Sequence, residues 1–258
     1  YIASYTIWYS TREDFHPSVI SSEGVTVSSY TPAVGLEENA TYWWRVKALD
    51  SEFAETWTEN TSWYIRINAV NTAPAAFNLS TPTYGAIVAT TTPMFDWQAS
   101  TDTDPGDTIT YELWLSSTDK NFAIKSTYSV SCSSYTPQSS LVENATYWWS
   151  VRAIDDSPLG PKTRVSNSTW SIRINAVDEA PVNLSLSSPT HKEVVDTKTP
   201  TFDWTDAVDP DPEGHISSYT ICYSTKENFS VYDSSAGLTI SSFTPAGAME
   251  LIENASYW

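Results

Sequence analysis

Two short loops concentrate the chemistry open to this chain. Asp102–Asp107 reads DTDPGD and Asp209–Gly214 reads DPDPEG. Carboxylates at alternate positions are hard oxygen donors, and Ca²⁺ takes about six to eight such ligands. The same residues also make turns, because Asp-Pro and Pro-Gly close tight solvated loops without any metal. Both readings stand at this level.

A second group is the Asn-x-Ser/Thr sequons at Asn39, Asn60, Asn78, Asn144, Asn167, Asn183, Asn228 and Asn254. They are glycan acceptors in an organism that glycosylates asparagine, and ordinary turn residues in one that does not. A composition this rich in Ser and Thr gives about three by chance, although repetition reduces the eight to four independent positions. Nothing points to catalysis. His16, His191 and His215 occupy unrelated loops, and no HExxH, GxSxG, CxxC, P-loop or Rossmann pattern is present. Cys132 and Cys222 stand at non-equivalent positions, so neither reads as half of a built-in disulfide.

The 258 residues carry 31 acidic and 13 basic side chains, a net charge of −18. Such a surface repels nucleic acid and anionic lipid, which excludes both as partners and favours cations. No apolar run of about 20 residues is available for membrane insertion. With neither initiator Met nor signal peptide, the chain reads as a segment of something longer.

The elements that must position these groups repeat. LEENATYWWRVKALD starts at Leu36, LVENATYWWSVRAID at Leu141 and LIENASYW at Leu251. A period above 100 residues means whole domains in tandem rather than solenoid units. The expected division is a partial module at 1–70, a complete one at 71–177 and a second partial one at 178–258. Short alternating runs bounded by Pro, Asp, Asn and Ser predict an all-β chain, with strands in the complete module near 76–80, 92–98, 109–116, 124–130, 133–136, 145–153 and 169–176.

Specific residues then carry a family resemblance. The pairs Leu36 and Tyr42, Leu141 and Tyr147, and Leu251 and Tyr257, with Trp97 and Trp204 on an earlier strand and V-x-A at Val46 to Ala48 and Val151 to Ala153, resemble fibronectin type III domains. The phrase is similar to tandem modules of large bacterial and archaeal surface proteins. The resemblance implies immunoglobulin-like β-sandwiches, with the first module lacking strands A and B and the third lacking most of F and all of G.

It also implies facing. Tyr42, Trp44, Val46 and Ala48 point inward with Tyr5, Ile7, Tyr9, Trp63, Ile65 and Ile67. Trp8, Trp43 and Tyr64 point outward beside Arg45, Lys47 and Arg66, as do Trp114 and Trp148 in the next copy. That outer face reads either as a cation–aromatic ladder internal to the module or as a contact surface for a further copy or a glycan. The fold places each acidic loop beside the incoming linker and the end of strand F. Asn71, Asp102, Asp104, Asp107 and Asp155 would thus gather at one junction, and Asp178, Asp209 and Asp211 at the next, somewhat as cadherin arrays gather calcium ligands.

The functional expectation is a non-catalytic extracellular structural protein at the cell surface. It would be part of a stiff fibre, stalk, sheath or giant adhesin, with further copies of itself or adjoining modules as partners. The alternative is a set of carbohydrate-binding or spacer modules of a secreted enzyme or adhesin.

Overall fold

The computed structural model describes residues 1–59 and 63–258. It is all-β, with no α-helix among the described residues. The strands are Ile2–Ser10 (β1), Ile20–Val25 (β2), Thr41–Asp50 (β3), Glu55–Trp57 (β4) and Tyr64–Arg66 (β5); then Leu79–Thr81 (β6), Ala86–Val88 (β7), Phe95–Trp97 (β8), Ile109–Ser116 (β9) and Ser126–Val130 (β10). They continue with Ser134–Tyr135 (β11), Thr146–Asp155 (β12), Thr163–Val165 (β13), Trp170–Ile174 (β14), Leu186–Ser188 (β15), Phe202–Trp204 (β16), Tyr219–Tyr223 (β17), Asp233–Leu238 (β18) and Ser242–Phe243 (β19).

By proximity the residues form two compact units. The first comprises Tyr1–Tyr84, Met94–Thr136 and Trp148–Ser171; the second comprises Gly85–Pro93, Pro137–Tyr147 and Ile172–Trp258.

In the first unit β2-β1-β3-β4 form one antiparallel sheet, with β5 on the other end of β3. A second group, β10-β9-β12, repeats its register: Tyr9 lies opposite Trp44 and Trp8 opposite Arg45, while Leu115 lies opposite Trp149 and Trp114 opposite Ser150. A third sheet, β11-β8-β6, covers the inner face of the second group. Phe95 meets Trp149 edge-on at 5.1 Å, and Trp97 meets Tyr111 at 5.5 Å. Two sheets pressed together through interdigitating rings make a sandwich. Alternation produces it: along β9 and β12, Tyr111, Leu113, Leu115, Trp149, Val151 and Ala153 are all buried.

The second unit holds another such pair of sheets. β15-β16-β19 faces β17-β18, with Trp204 against Tyr219 at 5.5 Å and Phe202 stacked on Tyr223 at 5.8 Å. Here β7 also pairs in parallel with Ile172–Ile174 of β14.

All three copies of the recurring phrase close in the same way. The Tyr42 hydroxyl accepts a hydrogen bond from the Glu37 amide at 3.2 Å, Tyr147 from Val142 at 3.0 Å and Tyr257 from Ile252 at 2.9 Å. Each phenol thereby satisfies a turn amide five residues upstream. Asn39, Asn144 and Asn254, between amide and phenol, adopt a left-handed backbone that Asn tolerates better than most residues.

Two expectations need correction. Residues 71–177 contain nine strands, not seven: β7 and β13 are each three residues long and too short to show alternation. Trp63 and Ile65 were expected inside but are 56% and 45% exposed. Ile65 lines an open groove of about 480 Å³ with Tyr5, Ile7, Tyr9, Tyr42 and Trp44. The facing of that sheet is as expected; among the described residues no sheet lies over it.

Candidate metal centre

The first acidic loop connects β8 to β9, and its backbone is held by its own carboxylates. Asp102 Oδ1 accepts from the Asp104 amide at 3.0 Å and from Thr72 Oγ1 at 3.3 Å; Asp104 Oδ2 accepts from the Thr72 amide at 2.6 Å. Thr72 belongs to the linker, so the loop and the incoming chain are tied together. Asp155, the last residue of β12, does the same from the opposite side. Its Oδ1 accepts from the Ser157 and Lys162 amides and from Asn71 Nδ2 at 3.2 Å. Asn71 Nδ2 also donates to the Gly160 carbonyl at 2.6 Å.

On Asp102, Asp104 and Asp155 these bonds use one carboxylate oxygen and leave the other free, while Asn71 bonds through Nδ2 and leaves its Oδ1 free. Asn71 Oδ1, Asp102 Oδ2, Asp104 Oδ1, Asp107 Oδ2 and Asp155 Oδ2 are all buried without a hydrogen-bond partner. As whole residues, Asn71, Asp104 and Asp155 are 5%, 4% and 2% exposed. Oxygens from Asp102, Asp104 and Asp107 lie within 4.8 Å of one another. Desolvation pushes the Asp107 carboxyl above its ordinary range, the Ser157 hydroxyl opposes that rise, and the negative charges of Asp104, Asp155 and Asp102 add to it. A nearby cation is Lys162, whose Nζ donates to the Asn71 carbonyl at 2.6 Å.

The second loop, between β16 and β17, keeps part of this pattern. Asp209 Oδ1 accepts from the Asp211 amide at 3.0 Å, and Asp211 Oδ2 accepts from the Glu179 amide at 3.2 Å. Gly214 stands where the first loop has Asp107. A side chain there would collide with the Asp209 carboxylate, its Cβ falling 2.4 Å from Cγ. Asp178 is exposed. The Asp211 carboxyl is raised, first by its contact with the Glu179 carboxyl and then by desolvation.

The outer aromatic face forms stacks within each copy. Arg45 lies over Trp8 at 4.5 Å, Trp57 at 4.5 Å and Phe15 at 4.6 Å, with Trp8 edge-on to Trp57 at 4.7 Å. Trp43 packs on Tyr64 at 6.1 Å, and Arg66 lies over Tyr64 at 5.8 Å. In the next copy Lys125 sits 3.7 Å over Trp114, Arg152 approaches the same ring at 5.4 Å, and Phe122 lies 5.8 Å away. Arg152 also pairs with Glu112 at 2.6 Å. Trp148 is half-buried. Trp57, Phe15, Phe122 and Lys125 were not singled out from the sequence; an aromatic or basic residue opposite an outward Trp was the available signal.

The sequons divide by environment. Asn78, Asn167, Asn183, Asn228 and Asn254 are exposed, although Asn167 Nδ2 donates to Asn78 Oδ1 at 2.8 Å. Asn39 and Asn144 are half-buried, with Nδ2 directed to Thr103 and Glu179. Asn60 lies outside the described residues. Cys132 and Cys222 are both free and exposed. No helix among the described residues is long and apolar enough to cross a membrane.

No family model matches the chain, and no curated protein does. Among solved structures it is similar to the FN1–FN3 domains of chicken CNTN1, at 16% identity, over 99% of this chain and 81% of that one, with a TM-score of 0.32. Likeness at that level leaves the fold resting on the strands and ring contacts above.

Proposed function

We propose that this chain is a non-catalytic structural segment of an extracellular, cell-surface protein. Tandem fibronectin type III-like sandwiches would act in it as a stiff spacer in a fibre, stalk or adhesin. The observation that carries the reading is the way each linker is held. Glu38 Oε1 accepts from the Ala69 and Val70 amides at 2.9 and 3.2 Å; Glu143 Oε1 accepts from the Ala176 and Val177 amides at 2.7 and 3.4 Å. The same carboxylate of the same phrase clamps the same two amides of two linkers. A linker whose backbone donors are fixed by side chains behaves as part of the fold rather than as a tether.

The three tyrosine corners support the family reading, since that device belongs to immunoglobulin-like sandwiches. The sequons and the strongly acidic surface support an exposed, solvated location. The cations already stacked on Trp8 and Trp114 favour the internal ladder over a sugar platform, because a sugar ring would have to displace them. Negative-stain imaging of the native source tests the role. Regular filaments or stalks containing this chain are the expected result. Dispersed monomers that bind glycans, with binding lost on Trp114→Ala and Trp148→Ala, would replace it with the sugar-binding alternative.

A further inference from the structure

The pole formed by the first acidic loop is unlike an ordinary Asp-rich turn. In a solvated turn, carboxylate oxygens not used by the backbone point to water. Here five oxygens from five side chains end inside the protein with no donor, and three of those residues are more than nine-tenths buried. Each unpartnered buried polar atom carries a desolvation cost of about 1–3 kcal/mol, more when the group is charged. The Asp104, Asp155 and Asp102 charges all act against an ionised Asp107, which adds to that cost.

We propose that Asn71, Asp102, Asp104, Asp107 and Asp155 together bind one Ca²⁺ ion, which fastens the linker and the end of β12 to the DTDPGD loop. The donor set selects the ion. It holds only oxygen, with no His or Cys, and so suits a hard cation rather than zinc or copper. Five protein oxygens from carboxylate and amide groups fall just short of the roughly six to eight that calcium takes, leaving room for one or more waters. Magnesium keeps most of its own waters and demands near-octahedral geometry, which a five-oxygen protein cage suits less well. On Asp102, Asp104 and Asp155 the division of labour fits a metal site as well: one oxygen accepts from a backbone amide, and that bond directs the other.

The second loop does not make an equivalent site. Gly214 removes one carboxylate, and Asp209 fills the space a side chain there would need. The expected stoichiometry is therefore one ion per chain. The site is independent of the structural role: a spacer without calcium remains a spacer.

The test is calorimetric titration of the full chain, stripped with chelator, with CaCl₂ and then MgCl₂, paired with thermal melting in each state. The expected result is a single calcium site filled by millimolar calcium, a higher melting temperature with the ion, and weaker magnesium binding. Asp104→Asn should lower calcium affinity by at least about tenfold, since ligand charge sets affinity in such sites. Because Asp104 also holds the Thr72 amide, Asp107→Asn serves as the second variant.

Asp107→Asn should change sign with calcium. It should melt above the parent without the ion, because one crowded charge is gone, and below it when both are saturated. Asp211→Asn should leave calcium affinity unchanged. No heat and no melting shift in about 10 mM calcium would overturn the proposal. So would binding that survives both Asp104→Asn and Asp107→Asn.

Discussion

Strands β3 and β12 are nearly the same sentence, TYWWRVKALD and TYWWSVRAID, paired with their neighbours in the same register, yet they live in different surroundings. Trp149 is fully buried against Phe95 and Trp170, whereas Trp44 is half-buried, with an open groove on one side and Trp63 at 5.8 Å on the other. The pattern of alternation decides which face a side chain takes. The opposing sheet decides what that facing contributes. Burial is a property of two elements, so no single strand can reveal it.

The outer faces differ for a more local reason. Where β3 has Arg45, β12 has Ser150. The arginine is held among three rings; the serine is buried and bonds Ser166 Oγ at 2.9 Å. In β9 the ring of Trp114 takes its cations instead from Lys125 and Arg152. With Ser150 in place of the arginine, the stack draws its cations from Arg152, two residues along the same strand, and from Lys125, just before β10.

The contrast between the two strands can be broken experimentally, and the largest effect falls in the core. Trp149→Ala should cost about 3–5 kcal/mol, the range for emptying a packed aromatic site. Trp44→Ala should cost less than half of that, because water already reaches its site through the groove. Native-state hydrogen exchange on the amides of β3 and β12 reads the two separately, and equal losses of protection would remove the distinction drawn here.

A smaller effect is expected at the outer face. Arg45→Ala should cost about 1–2 kcal/mol through its ring contacts, with the loss confined to the sheet of β1 and β3. Breaking the partly buried Arg152–Glu112 pair with Glu112→Gln should cost only about 0.2–1 kcal/mol. Urea melts of the two variants should rank in that order.

The smallest effect concerns pH. The raised carboxyls of Asp107 and Asp211 mean that the folded state holds their protons more tightly than the unfolded chain. Their contribution is therefore most favourable below the ordinary carboxylate value and is lost as pH rises through the raised one. Asp14, held to about 2 by Arg12 and by the His16 amide, acts in the opposite sense, but only in much stronger acid. In metal-free buffer the melting temperature should rise slightly between neutral pH and about pH 5. The double variant Asp107→Asn, Asp211→Asn should flatten that rise.

The sequence showed much of this fold. Strand β9 was read to the residue, and the tyrosine corners were visible from a Leu and a Tyr six positions apart. Strands β7 and β13 were not, because three residues carry no period and are strands only by virtue of their partners, β14 and β12. The acidic pole was half legible. The DTDPGD spacing marks Asp102, Asp104 and Asp107 directly, but Asn71 and Asp155 reach them only through the topology. Lys162 and Gly160, which hold Asn71 from 91 and 89 residues away, left no signal at all. The ladder was visible on one side, since Trp8 and Arg45 follow from strand facing, whereas Trp57 comes from a run too short to be read as a strand.

Small-angle X-ray scattering on the full chain reads directly whether the clamped linkers behave as part of the fold. The parent should give a narrow distance distribution that stays constant with temperature below melting. Glu38→Ala combined with Glu143→Ala, which frees the clamped amides while sparing both cores, should broaden that distribution and shorten the mean end-to-end distance. A parent profile already as broad as that of the double variant would mean that the linkers act as tethers.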